Sequence, residues 1–490
     1  MTFDTVIVGA GSAGGVLAAR LSEDPGHSVL LLEAGPDLGV DPAALPHDVA
    51  DAGDVGATDY DWGFEAAFGP LGRRSAVHAG RLVGGSSATN NVMALRGRPA
   101  DYDGWHGWSA DQALAAFERV ERDLDFGARR GHGDTGPVPI RRYAPEELPP
   151  HQRDFMTACE AAGYRPVADL NLAGATGVGP LPLNAVDGVR QSTALTYLAA
   201  ARDRPNLTIR PGRAADRVLI RNGRATGVRL ADAEEITADR VVLAAGAYGS
   251  PAVLLRSGLG PAAELRELGI GVRQDLPGVG ANLHDHPLLR LLYAARGEPR
   301  ALPCQTVLQT QSEPDEPAPD LQIFPSALAP GETGSRLQLL VALLRPHSRG
   351  RVRLASADPA APPLIDLGLL DHPDDLPRLR AGAREARRLA ATAPFSTHLD
   401  GELWPGAGVT ADDALDEAIR GSVNVYQHPV GTCRMGPATD PGAVVDPAGR
   451  VHGIDGLHVI DASIMPAIPA ANTNLPTLML AEHCAKSLAA

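Results

Sequence analysis

The sequence predicts a mixed α/β protein of two domains, in which a Rossmann-like dinucleotide-binding domain is assembled from separated segments. A strand, a glycine-rich turn, a helix and a second strand follow one another within residues 5–33. Two further strands, at 239–247 and 457–462, end in small or acidic residues that would let backbone lie against a cofactor. The stretches between these segments would form a substrate domain with an antiparallel sheet and helices, an α+β two-domain arrangement.

The composition excludes several classes of function. A chain of 490 residues is too long for one ordinary core and suits two or three domains. Its net charge of −15 leaves no basic surplus to neutralise phosphates, which argues against a nucleic-acid role and against an anionic membrane surface. The longest central apolar run, 339–344, has the length of a strand, so we expect no transmembrane segment.

The four cysteines are far apart and form no C-x-x-C pair: Cys159, Cys304, Cys433 and Cys484. This spacing excludes thiol-pair redox chemistry and a cysteine-based zinc site, and we expect no metal. Four thiols in so long a chain favour a reducing compartment, and we expect a cytoplasmic location.

The first motif is Gly9-x-Gly11-x-x-Gly14, directly after the apolar run 5–8. Gly9 permits the tight turn, Gly11 lets the backbone approach a pyrophosphate, and Gly14 lets helix and strand pack closely. The helix N-terminus offers free N–H groups to the phosphates. Glu33, at the end of the next strand, can accept hydrogen bonds from both ribose hydroxyls. The adjoining candidates for cofactor binding are Ser12, Ala13 and Ala34.

The motif alone leaves the dinucleotide open. The acid at position 33 argues against a ribose 2′-phosphate and therefore against NADP. FAD and NAD both carry an adenosine with free ribose hydroxyls, so both remain.

The domain organisation follows from these segments. We assign 1–140, 201–290 and 426–490 to the cofactor domain, and 141–200 and 291–425 to the substrate domain. Within the substrate domain the sequence predicts helices at 152–162 and 376–391. Short strands are predicted around 321–324, 337–344 and 351–354.

Several long blocks resemble the signatures of the GMC (glucose–methanol–choline) oxidoreductases. They cover nearly the whole chain: Gly80–Asn90 with Arg96–Asp103, Gly246–Gly260, Leu276–Pro287, His428–Gly436, Asp461–Pro466 and Asn472–Asn474. The resemblance implies FAD rather than NAD, and an enzyme that oxidises an alcohol. Phrases at 121–126, 136–142 and 182–190 look like the mycofactocin-associated GMC dehydrogenases, although they have no chemical task that we can assign.

The resemblance also implies further cofactor-binding residues. Thr89 stands where some family members carry a histidine bonded covalently to FAD, so we predict non-covalent FAD. The implied cofactor-binding residues are Arg81, Gly84, Gly85, Ser86, Asn90, Asn91, Val92, Ala215, Ala245, Gly246, Asp461, Ala462 and Asn472. Asp461 could equally cap the helix that follows it.

Alcohol oxidation needs a base for the hydroxyl proton, and histidine titrates in the useful range. By resemblance that base is His428. The family pairs it with a histidine or asparagine, and we assign Asn474, with Asn472 as the alternative. An asparagine can orient the substrate oxygen but cannot act as a base. The histidines that we interpret as structural are His284, His286, His452 and His458.

Other functions remain open at this point. The chain could be an oxygen-using alcohol oxidase, a hydroxynitrile-lyase type of flavoprotein without net redox chemistry, a non-catalytic FAD-binding protein or a nicotinamide-dependent dehydrogenase. The substrate would be a small-molecule alcohol, and the electron acceptor could be oxygen, a quinone or a carrier. The sequence identifies neither, nor the oligomeric state.

Overall fold

The structure is a computed structural model that describes residues 2–54, 58–69, 71–299, 304–331 and 334–489. Its α-helices in chain order are α1 (Ser12–Leu21), α2 (His47–Ala50), α3 (Pro99–Asp103), α4 (Ala110–Val120), α5 (Pro150–Ala161), α6 (Ala199–Ala201), α7 (Gly246–Arg256), α8 (Ala262–Glu267), α9 (Asp375–Ala390), α10 (Asp412–Ser422) and α11 (Asn474–Ala489).

The strands carry the same chain-order numbering. They are β1 (Thr2–Val8), β2 (Val29–Leu32), β3 (Phe64–Phe68), β4 (Arg73–Val77), β5 (Glu121–Asp123), β6 (Val138–Ile140), β7 (Gly177–Pro180), β8 (Ala185–Val186), β9 (Val189–Arg190), β10 (Leu207–Arg210), β11 (Ala215–Arg221), β12 (Arg224–Leu230), β13 (Glu235–Leu243), β14 (Leu259–Gly260), β15 (Gln274–Asp275), β16 (Pro287–Ala295), β17 (Thr306–Thr310), β18 (Leu321–Gly331), β19 (Gly334–Leu343), β20 (Arg351–Arg353), β21 (Leu364–Asp366), β22 (Leu399–Trp404), β23 (Asn424–Val425) and β24 (Leu457–Val459).

The first large sheet is the dinucleotide-binding sheet. Its order is β10-β2-β1-β13-β12-β11, and β24 pairs with β13. β1 runs parallel to β2 and β13, while β11 and β12 join by antiparallel pairing. The central strand segments 6–8 and 29–32 are buried along their whole length, as expected for parallel strands covered on both faces. Pairing β24 with β13 brings the last part of the chain beside the first motif.

The second large sheet is antiparallel and has the order β22-β16-β19-β18-β17-β7, with β23 on β16. One face packs against α5 and α9 in an apolar core. The other face packs against residues 92–95 and 470–471 in a second apolar cluster. This second cluster includes the surroundings of the catalytic candidates described below.

The predicted fold class is confirmed: the mixed α/β architecture combines a Rossmann-like sheet of separated segments with an antiparallel sheet and helices. The helices predicted at 152–162 and 376–391 are observed as Pro150–Ala161 and Asp375–Ala390. Helix ends commonly shift by this much, because the terminal turns lack intrahelical partners. The exact domain boundaries stay a prediction.

Two expectations from the composition have structural counterparts. All four cysteines are buried free thiols. Within the described ranges, no helix combines the length and the apolar character needed to cross a bilayer.

Candidate active site

The glycine-rich turn leaves the start of α1 open to a ligand. Gly9 has φ 99°, and a Cβ placed on it would lie 2.5 Å from the Ala244 carbonyl oxygen. A Cβ on Gly14 would lie 1.8 Å from the Gly9 oxygen. Among the described residues, no side chain caps the helix at Gly11, and its first turn carries no acid. The amides of Ser12 and Ala13 therefore lie at a positive helix end that suits phosphate.

A second glycine turn closes against the first. Gly84 and Gly85 have φ 105° and 51°, and a Cβ on Gly85 would lie 2.6 Å from the Cα of Gly11. The two turns thus meet backbone to backbone, where only glycine fits. Ser86 is exposed at this turn, and its hydroxyl oxygen accepts from the Gly80 amide at 3.2 Å.

Glu33 is held at the end of β2 with its carboxylate buried. Its two oxygens accept the amides of Ala10 and Gly35, each at 2.9 Å. Burial raises the pKa of Glu33, while these amides and the charge of Arg81 oppose that rise. Each carboxylate oxygen keeps a second lone pair, so the group can also accept from ribose hydroxyls. Ala34 lies between Glu33 and Gly35.

Asp461 joins the far end of the chain to α7. One of its oxygens accepts from the Gly246 amide at 2.8 Å and the Ser250 hydroxyl at 2.6 Å. The other accepts from the Ser463 amide at 2.8 Å, which is a cap of the short 3₁₀ turn Ala462–Ile464. The capping role expected from the sequence is therefore present. Ala245 directly precedes α7, and Ala215 begins β11.

The segment 90–92 is held in an unusual backbone conformation. Val92 is buried with φ 53°, a left-handed conformation that is costly for a β-branched residue. The Asn90 side chain accepts the Val92 amide at 2.9 Å, and its carbonyl accepts from Arg190 at 2.8 Å. Asn91 is exposed. Strain of this kind is commonly retained at ligand sites.

These features fit FAD. The two glycine turns form a cradle that a single Cβ would fill, and the buried Glu33 carboxylate at the end of β2 could accept from ribose hydroxyls. Glu33, the two turns and the start of α1 would hold the adenosine diphosphate half, and the 90–92 segment would border the flavin.

His428 is buried in a polar cluster on the substrate side. Its Nδ1 lies 2.9 Å from Nδ1 of His286. Its Nε2 lies 3.2 Å from the Asn472 side-chain nitrogen. Its backbone amide donates to Asp285 at 2.9 Å. The preceding Gln427 has φ 67°, which turns the chain sharply just before the histidine.

These contacts define the protonation of the imidazole. Because the Asn472 nitrogen can only donate, this contact is a hydrogen bond in the tautomer whose Nε2 accepts and carries no proton. The proton of the neutral ring then sits on Nδ1 and is donated to His286 Nδ1. Nε2 therefore has the lone pair that a general base requires.

Burial controls the charges in this cluster. Desolvation, with a smaller contribution from His286, lowers the pKa of His428 well below its usual range. Burial lowers the pKa of His286 to about 3. Burial also raises the pKa of Asp285 to about 7, against the amides that it accepts. Both imidazoles are thus neutral at pH 7.

The two candidate asparagines lie in different places. Asn472 contacts His428 and also donates to the Met93 sulfur at 3.3 Å. The Asn474 side-chain oxygen instead accepts from the Ser12 hydroxyl at 2.8 Å, at the start of α1. The structure therefore brings the alternative, Asn472, to the base, and brings the first choice, Asn474, to the glycine-rich turn. The sequence assigned them the other way round.

The sequence reasoning missed three neighbours of His428, which are His286, Asp285 and Tyr426. His286, interpreted there as structural, shares the hydrogen bond described above. The ring of Tyr426 lies 4.3 Å from that of His428, and its hydroxyl donates to Met93 at 3.3 Å. The block 276–287 was a signal for His286 and Asp285, but the pairing of β23 with β16 and the bridge between His284 and Val430 are what bring it to His428.

A dinucleotide cradle and a buried imidazole in one chain are the parts of a nucleotide-dependent oxidoreductase, and comparison with known proteins gives the family and the cofactor. Two sequence models of the GMC oxidoreductase family match, over residues 3–288 and 346–481. The chain belongs to this family, binds FAD and acts on CH–OH groups.

Individual relatives are similar over their whole length. An oxygen-dependent choline dehydrogenase of Chromohalobacter salexigens is 37% identical over 536 residues, covering 99% of this chain and 94% of the relative. An uncharacterized GMC-type oxidoreductase of Rhodococcus erythropolis is 36% identical, covering 99% and 98%. The crystal structure of pyridoxine 4-oxidase from Mesorbium loti superposes with a TM-score of 0.92 at 34% identity, covering 99% of both chains.

Proposed function

We propose that this protein oxidises a small-molecule alcohol to the carbonyl compound, with His428 as the base that accepts the hydroxyl proton. The observation that carries the proposal is the buried His428 imidazole, whose Nε2 accepts from Asn472 and therefore carries no proton of its own. Bound FAD supplies the acceptor for the hydride that leaves the alcohol carbon.

His428, Asn472 and His286 have different roles in this proposed reaction. The substrate hydroxyl inserts between Nε2 of His428 and the side-chain nitrogen of Asn472 and replaces the hydrogen bond that joins them. His428 takes the hydroxyl proton, and Asn472 donates to the oxygen as negative charge develops on it. His286 keeps the Nδ1 proton of His428 in place, so that Nε2 is the basic atom. As the carbonyl forms, two electrons and one hydrogen leave the carbon as hydride.

Asn474 has a different role in this proposal. Its contact with Ser12 ties the start of α11 to the first turn of α1, where the phosphates would bind. We therefore assign Asn474 to the cofactor cradle and Asn472 to the substrate oxygen.

The test is anaerobic reduction of the purified holoprotein with a panel of alcohols. Loss of flavin absorbance together with recovery of the carbonyl product supports the proposal. A hydroxynitrile-lyase type of protein would cleave cyanohydrins without any bleaching, because its chemistry leaves the flavin oxidised. Bleaching by no alcohol in a broad panel would contradict the proposal.

The electron acceptor is tested in the same experiment. Similarity to oxygen-dependent choline dehydrogenases and to a pyridoxine oxidase supports a small alcohol as substrate and oxygen as one acceptor. The resemblance to mycofactocin-associated dehydrogenases favours a carrier instead. Mixing the reduced protein with oxygen or a soluble quinone measures which acceptor restores the flavin spectrum faster. The cytoplasmic location stays a prediction.

A further inference from the structure

Arg98 is a buried cation that has no acidic partner of its own among the described residues. Its side chain is only 8% exposed, and its guanidinium donates to the neutral side-chain oxygen of Gln309 at 2.7 Å. The nearby acid is Asp101, whose one oxygen already binds Arg345 at 2.8 Å. The other oxygen of Asp101 accepts the backbone amides of Arg98 and Ala470. The carboxylate of Asp101 is thus the ion-pair partner of Arg345, and the Arg98 guanidinium forms no ion pair among the described residues.

A second buried group beside Arg98 lacks partners. Gln322 lies directly opposite Gln309 in the pairing of β17 with β18. Gln322 is fully buried, and neither its side-chain oxygen nor its nitrogen has a hydrogen-bond partner within the described ranges. An unsatisfied buried amide is costly, and so is an unpaired buried cation. Both costs are removed if an anionic ligand binds between them.

This polar spot lies on the sheet face that borders the catalytic cluster. Gln322 and Phe324 point to the same face because they are two residues apart on β18. The Phe324 ring stacks on Tyr426 at 5.6 Å, and Tyr426 lies against His428.

The strand register gives the distance across this face. Gln322 is opposite Ala342, and Ala342 is opposite Leu288, two residues after His286. Two strand spacings make Gln322 about 10 Å from Leu288. The small Ala342 side chain stands between them.

We propose that Arg98, Gln309 and Gln322 form an anion-binding subsite of the substrate pocket, and that the preferred alcohols carry a carboxylate at the end remote from the reacting hydroxyl. The inference rests on the proposed function and specifies its substrate class. The guanidinium binds the carboxylate through charge-assisted hydrogen bonds, and the Gln322 amide donates to its second oxygen. A quaternary ammonium group would be repelled from the same place.

The experiment compares ω-hydroxy acids with their methyl esters in anaerobic flavin reduction. The probes are 6-hydroxyhexanoate, 8-hydroxyoctanoate and 10-hydroxydecanoate, each with its ester, and choline. We expect the best acid to exceed its ester at least tenfold in the apparent second-order rate of reduction. Arg98→Gln should bring the acid-to-ester rate ratio close to one, and Arg98→Lys should keep part of the preference. The control Arg351→Gln changes an exposed arginine of β20 and should behave like the parent.

A binding measurement separates this inference from the proposed function. Octanoate cannot be oxidised, so its titration into the oxidised holoprotein reports the subsite through the flavin spectrum alone. We expect Arg98→Gln to raise its Kd at least tenfold. Gln322→Met keeps Arg98 and should raise the Kd of octanoate by a smaller factor. This variant replaces Arg98→Gln in the test if Arg98→Gln binds no FAD.

Two results would overturn the subsite: octanoate that binds parent and both variants equally, or acids and esters that reduce the parent at equal rates. If octanoate binds through Arg98 but no alcohol bleaches the flavin, the proposed function fails while the anion site stands.

Discussion

The cofactor cradle and the catalytic cluster are built from different parts of the polypeptide. In the proposed cradle the backbone would bind the cofactor: two glycine turns meet with Cα atoms close together, and the first helix has N-terminal amides without a side-chain cap. In the proposed catalytic cluster the side chains would carry the chemistry, and His428, His286 and Asn472 come from three separate segments. Changes in the cradle should therefore act through steric exclusion and FAD loss, whereas changes in the cluster should act on the rate.

The largest effect should come from Gly14→Ala. The new Cβ would lie 1.8 Å from the Gly9 oxygen, and neither backbone segment can move without opening the turn. We expect the free energy of unfolding to fall by about 4 kcal/mol or more, with little FAD retained. Gly271→Ala is the matched control, because a methyl group at that position would have no described atom within 4 Å outside its chain neighbours. Both variants are compared with the parent by denaturant unfolding and by flavin content. If Gly14→Ala has the stability and the FAD content of the parent, the turn is not as tightly packed as the structure shows.

Glu33→Ala should produce the next largest effect, this time on FAD affinity. Loss of the carboxylate removes one or two charge-assisted hydrogen bonds to ribose, worth on the order of 2–4 kcal/mol. Dialysis followed by the flavin-to-protein absorbance ratio checks this, with Glu235→Ala, an exposed acid at the start of β13, as the control. Full retention of FAD by Glu33→Ala would mean that the carboxylate only anchors the amides of Ala10 and Gly35.

His286→Ala should slow flavin reduction by roughly 10- to 100-fold, the size typical of losing a group that orients a functional imidazole. The buried Nδ1 proton of His428 would then lose its acceptor, and the basic lone pair would no longer be fixed on Nε2. His286→Asn is the informative partner variant, because its side-chain oxygen can take the place of Nδ1 as acceptor. We expect it to recover part of the rate. If parent and His286→Ala reduce the flavin at equal rates, His286 has only a packing role.

The smallest difference should separate the two asparagines. Asn472→Ala should slow reduction about fivefold, because one neutral hydrogen bond to the substrate oxygen is worth about 1 kcal/mol. Asn474→Ala should leave the reduction rate nearly unchanged and instead lower the free energy of unfolding by about 1 kcal/mol through the lost Ser12 contact. Stopped-flow flavin reduction and thermal unfolding of Asn472→Ala and Asn474→Ala show which asparagine affects the rate and which affects stability. The reverse pattern would restore Asn474 as the substrate-orienting residue.

The contrast between the two regions also explains how much the sequence could predict. The cradle was predictable because its parts are local: Gly9, Gly11 and Gly14 lie within one turn, and Glu33 ends the very next strand. Each has a physical task that needs no knowledge of distant contacts.

The catalytic cluster was only partly predictable. His428 was reached through family resemblance, but its partner His286 lies 142 residues earlier in the chain. The two asparagines are two residues apart, but α11 begins at Asn474, and the side chains of Asn472 and Asn474 contact different partners. Arg98 and Gln322 gave no signal, because a missing partner is visible only once the packing is known.

The most direct test of the central claim is anaerobic flavin reduction by His428→Ala across a range of pH. In the parent, the pKa of His428 is lowered by burial, so the base is unprotonated at pH 7 and the rate should fall only as the pH drops through that lowered pKa. We predict that the variant keeps its FAD and thermal stability, reduces roughly 100- to 10,000-fold more slowly, and loses this acid limb. His452→Ala, a histidine that contacts the Gly436 carbonyl, should match the parent. A His428→Ala protein that reduces at the parental rate with the same pH profile would contradict the account.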